Sequence, residues 1–97
     1  GLKDIFGDSY EELAAEQILI LKKTSMHVNE LNAKLHAMMD ARKEANSLDS
    51  VEKMAHAYCD NVKPYLDEIR YHADKLELMV DNELWTLTKY RELLFTR

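Results

Sequence analysis

Residues 51–79 read VEKMAHAYCDNVKPYLDEIRYHADKLELM. Within this stretch Val51, Ala55, Tyr58, Val62, Tyr65, Ile69, His72, Leu76 and Met79 fall at alternating intervals of four and three residues. That spacing keeps one stripe of a helix turned toward a partner helix, whereas a half-buried strand would need a period of two. Pro64 stands in the middle of the stripe. An interior proline removes a backbone hydrogen bond and crowds the carbonyl four residues earlier, costing about 3 kcal/mol. Because the stripe keeps its phase on both sides, Pro64 predicts a kink rather than a break.

Upstream, Leu21, Thr24, Val28, Leu31, Leu35 and Met38 repeat at three and four residues and predict a second stripe, with Thr24 its one polar member. Ser9 with Glu12, and Asp49 with Glu52, have the spacing of capping boxes, in which each side chain satisfies an orphan backbone N–H of the other residue. Asn46, Ser47, Asp49 and Ser50 form the one interior cluster of turn residues. So short a connection joins antiparallel neighbours. The predicted fold is all-α: an irregular leader over 1–8, a long antiparallel helical hairpin over 9–83 that turns at about 46–50, and an aromatic tail over 84–97 holding a short final helix, with Thr88 as its cap.

The composition agrees with long helices, since 97 residues contain only two glycines and one proline. Thirteen basic against 18 acidic side chains give a formal charge of −5, with the cations scattered, so nucleic acid and anionic membranes are not predicted partners. The longest aliphatic run, Ile18–Leu21, is far short of the roughly 20 residues that span a bilayer. The single Cys59 cannot form an internal disulfide and fits a reducing, cytoplasmic setting. Gly1 in place of an initiator Met, and more apolar surface than two helices can enclose, predict a fragment of a larger protein.

Catalytic patterns are absent. Glycines only at 1 and 7 cannot build a phosphate-binding loop, and Cys59 and the four histidines lie on helices with no loop to assemble an oxyanion site. Glu52/His56 and Glu68/His72 are four apart, not the three of di-iron bundles, and zinc needs three or more converging ligands. They are read as polar pairs, with His72 a stripe histidine that takes a hydrogen-bond partner, and His27 and His36 as unaligned. No catalytic, cofactor or metal residue is predicted. The five methionines are read as core filler. The candidate docking residues are Trp85, Tyr90, Leu93, Leu94 and Phe95, large apolar side chains in the tail that need a surface to bury against.

The run from Leu66 to Glu77, then Val80-Asp81, Leu84-Trp85 and Tyr90 to Phe95, resembles the C-terminus of the type III glutamine synthetases, large bacterial enzymes. The shared features are a helix rich in Ala-Asp-x-Leu-Glu, an aromatic pair centred on tryptophan, and a Tyr-x-x-Leu-Leu-Phe ending. Where that family has prolines about the tryptophan, this chain has Thr86 and Thr88. The resemblance implies a parent that joins ammonia to glutamate with ATP and a divalent metal, Mg or Mn, in a large ring-based homo-oligomer. None of that family's metal- or nucleotide-binding residues maps onto this chain. The segment is then expected to be non-catalytic, to hold no cofactor itself, and to support the fold or the joining of subunits. Its partners would be the remainder of the parent chain and neighbouring subunits. The alternative from the residues is an independent helical adaptor or oligomerisation module whose stripes bind partner helices.

Overall fold

The computed structural model describes residues 2–95, with side chains from Ser9 onward, and among them every regular element is helical. Helix α1 spans Leu2–Asn46. The returning arm is helix α2 at Val51–Ala57, a five-residue π-helix at Tyr58–Val62, and helix α3 at Lys63–Phe95. The arms are antiparallel. Asn46 meets Tyr58 near the turn, Lys34 meets Glu68 further out, His27 meets His72 beyond that, and Ser9 and Tyr90 share a groove toward the open end. The hairpin measures 74 × 27 × 14 Å, a single layer of two helices.

The turn is closed by backbone and hydroxyl groups together. Ser47 N–H is shared between the carbonyls of Lys43 and Glu44, at 3.2 and 3.1 Å, and Ser47 Oγ donates to Glu44 O at 2.7 Å. The cap of α2 falls one residue later than the Asp49–Glu52 box predicts. Ser50 has the extended backbone of an N-cap, φ −144° and ψ 152°, and its Oγ accepts from Lys53 N–H at 3.1 Å. Asp49 pairs with Lys53 Nζ at 3.0 Å instead.

Both chain ends differ from expectation. Helix α1 begins at Leu2, so the stretch read as an irregular leader is helical through Ser9, and Ser9 caps nothing. Extending an existing helix by a residue carries no nucleation cost, and Gly7 at about 1 kcal/mol is tolerated. At the other end there is no separate short helix, because α3 runs unbroken to Phe95. Thr88 lies inside it, and Thr86 and Thr88 each donate their hydroxyl to the carbonyl four residues back, Asn82 and Leu84, both at 2.9 Å. Prolines at these two positions would stop the helix, and threonines let it continue.

Pro64 neither breaks the arm nor requires an interruption of helical backbone. The wide π turn lies immediately before it, and Lys63 N–H donates to Tyr58 O, five residues back. The wider ring accommodates a residue that has no N–H and whose pyrrolidine would crowd the carbonyl of Asp60. Tyr58, Val62, Tyr65, Ile69, His72, Leu76 and Met79 all turn inward as the stripe predicts, whereas Val51 and Ala55 are exposed. On α1 Thr24, Leu31, Leu35 and Met38 turn inward as predicted, but the stripe departs from expectation at two positions. Leu21 and Val28 are exposed, and Ile20 and His27 stand inward in their place. Small residues, Ala41 and Ala45, continue it toward the turn.

Candidate functional site

Among the described residues only Ala45, Val62 and His27 are buried. Two helices in one layer share one seam, and each keeps apolar flanks that nothing in the hairpin covers. On one side, Ile20 and Thr24 of α1 line a groove with Leu76, Val80, Leu84 and Leu87 of α3. Helical periodicity adds Leu21 and Val28, seven residues apart, to that side of α1, and Leu66, fourteen before Val80, to that side of α3. Val80, Leu84 and Leu87 remain 55%, 58% and 62% exposed. This is a continuous apolar face.

The opposite side has a different chemistry. Tyr71, Leu78 and Trp85 recur every seven residues along α3, and Lys23 and Met26 of α1 lie across from Tyr71 and Leu78. Lys75 Nζ sits 5.5 Å above the Tyr71 ring and Lys89 Nζ 5.0 Å above the Trp85 ring. Such cation–π contacts are worth roughly 0.5–1 kcal/mol at exposed sites. They place positive charge along this face.

The five candidate docking residues are therefore separated. Trp85 belongs to the aromatic–lysine face, Tyr90 lines the groove shared with Tyr10 and Leu13 of α1, and Leu93, Leu94 and Phe95 stand exposed at the tip of α3. All five are more than half exposed.

The histidines divide in an unpredicted way. His36 and His56 are exposed, while His27, 9% exposed, faces His72 across the seam with Nδ1 to Nδ1 at 2.9 Å. His72 does take a hydrogen-bond partner, and the partner is another imidazole. Glu68, four residues before His72, pairs with Lys34 Nζ at 3.2 Å. That hydrogen bond, and the charge of Glu68 behind it, raise the Lys34 pKa above its ordinary 10.5. No three of the described His, Cys, Asp or Glu residues come together as metal ligands, so this donor set does not fit a divalent ion. None of the described helices is long and apolar enough to cross a membrane.

A glutamine synthetase of Bacteroides fragilis is 41% identical over 97 residues, which covers 99% of this chain. The hairpin is homologous to a segment of glutamine synthetases. A type-3 glutamine synthetase of Dictyostelium discoideum is 35% identical over 68 residues, 70% of this chain, so the likeness extends beyond bacteria. The chain spans 13% of the Bacteroides enzyme's length and 9% of the Dictyostelium enzyme's in these matches. No protein-family model and no solved structure matches it. Beside these relatives the chain is a fragment of a glutamine synthetase.

Proposed function

We propose that this chain is a non-catalytic, C-terminal helical segment of a cytoplasmic type III glutamine synthetase, and that its apolar face docks on the remainder of that enzyme to support its fold or the assembly of its subunits. The observation that carries this reading is the exposed row of Val80, Leu84 and Leu87 beside the Ile20–Thr24 groove, on a segment that is 13% of a homologous enzyme. Burying apolar surface contributes about 25 cal/mol per Å², so a face of this kind favours a partner. The parent would join ammonia to glutamate with ATP and Mg or Mn as a homo-oligomer. The described residues here offer no ligand set for the metal, and that chemistry would lie in other parts of the parent chain.

The test is to compare the parent enzyme with and without this segment, measuring glutamine synthesis and particle mass together. Loss of the native oligomer, with activity falling in step, is the expected result. A truncated enzyme that kept both its mass and its full activity would refute the support role. Glutamine synthesis by the isolated segment would refute its non-catalytic character.

A further inference from the structure

Near the middle of each arm, two imidazoles meet nitrogen to nitrogen. His27 Nδ1 and His72 Nδ1 are 2.9 Å apart, with ring centroids 5.2 Å apart and planes inclined at 55°. Contact at this distance is a hydrogen bond, and it requires one nitrogen to carry a proton and the other to be bare. Two arrangements satisfy it. Either both rings are neutral in opposite tautomers, or one ring is charged and donates to a neutral neighbour. With both rings charged, two N–H donors face each other with no acceptor between them.

The surroundings add to the cost of a second charge. From α1, Lys23 lines the cavity beside His27, and Glu30 lies one turn further along. From α3, Lys75 lines the same cavity, Tyr71 packs edge-on against His72 with centroids 5.2 Å apart, and Glu68 one turn before His72 is held by Lys34. The charged groups lining the cavity itself are the two lysines. Among the described residues no third metal-ligating His, Cys, Asp or Glu joins the pair, so the two nitrogens are placed to share a proton.

We propose that His27 and His72 form a one-proton latch that holds the two arms together and releases them when a second proton binds, making the hairpin acid-labile. The latched pair carries at most one charge and so holds at least one proton fewer than two separated, charged imidazoles, which favours the open state as pH falls. Where the open state holds one proton more than the closed one, the folding constant falls about tenfold for each unit of pH lowered.

Nitrogen-detected NMR of the 97-residue chain at pH 7.5 tests the resting state, with exposed His36 and His56 as internal references. One protonated and one bare Nδ1 are expected for the His27–His72 pair, unlike the references. Free-imidazole tautomer ratios at both rings, whether from different packing or from an unfolded chain, would overturn the proposal. Urea unfolding between pH 7.5 and 5 then compares the native chain with the double variant His27→Leu/His72→Leu. The native chain should lose its folding constant about tenfold per pH unit faster than the variant at the acid end. Equal slopes would overturn the latch. If the double variant fails to fold, His72→Gln, whose amide can still donate to His27, supplies the same comparison of slopes.

Discussion

Ala45 and Val62 are 1% and 5% exposed, the buried apolar residues among those described, and sit in the contact between the arms. Ala45→Leu forces extra methylenes into that contact and should cost about 1–3 kcal/mol in urea unfolding. Val51→Ala, at a side chain 82% exposed, should stay within about 0.5 kcal/mol. Lys34 adds a pH effect at the alkaline end. Its folded pKa is raised by Glu68, so the stability it contributes is complete below its ordinary 10.5 and is lost as pH rises through the higher folded value. Melting curves from pH 9 to 12 should therefore show less alkaline loss in Lys34→Met than in the native chain. At this scale the seam of α3 was legible from Tyr58 to Met79, and that of α1 in part, since Thr24, Leu31, Leu35 and Met38 turn inward as expected. Apolar counting selects Leu21 and Val28, and the true stripe passes through Ile20 and a histidine. A signal for His27 was present, because folding the chain about residues 47–50 sets 27 opposite 72.

The elements begin and end on side-chain hydrogen bonds more than on composition. Ser50→Ala should cost about 1 kcal/mol, the usual worth of an N-cap, while Asp49→Ala should cost only a few tenths, the worth of an exposed i,i+4 pair. Thermal unfolding of the two variants side by side checks this, and equal losses would show that the cap is shared. The sequence placed the cap one residue early because Asp49 and Ser50 are both good caps, and only the extended backbone at Ser50 distinguishes them. Pro64 shows the same limit. Its phase-keeping stripe correctly indicated a helix that continues, but a π turn before it lies in backbone hydrogen bonding that residue spacing does not encode. The unbroken run of α3 into the tail was missed because Thr88 resembles a cap in sequence, yet its hydroxyl, like that of Thr86, bonds backward and leaves the helix uninterrupted.

As a whole the molecule is a thin plate, 14 Å in its smallest dimension, with one apolar face and one aromatic–lysine face. Leu84→Glu/Leu87→Glu should leave the hairpin's own helicity intact, because both side chains are more than half exposed. In the parent enzyme the same pair should reduce native particle mass and activity, measured by light scattering and by glutamine production. An intact oligomer carrying both glutamates would exclude this face as the docking surface. The sequence by itself determined the helical class, the position of the turn, the antiparallel return, and the resemblance to type III glutamine synthetases. These rest on local periodicity, on turn and cap residues, and on a run of matching residues, all carried along the chain. Only the tertiary structure decided that Ile20 and His27 rather than Leu21 and Val28 face inward on α1, that His27 meets His72, and that the apolar rows fall on one side and the lysine-capped aromatics on the other. Those outcomes depend on the rotation of one helix against the other, which is set by packing all the seam residues at once and is written in no single stretch of sequence.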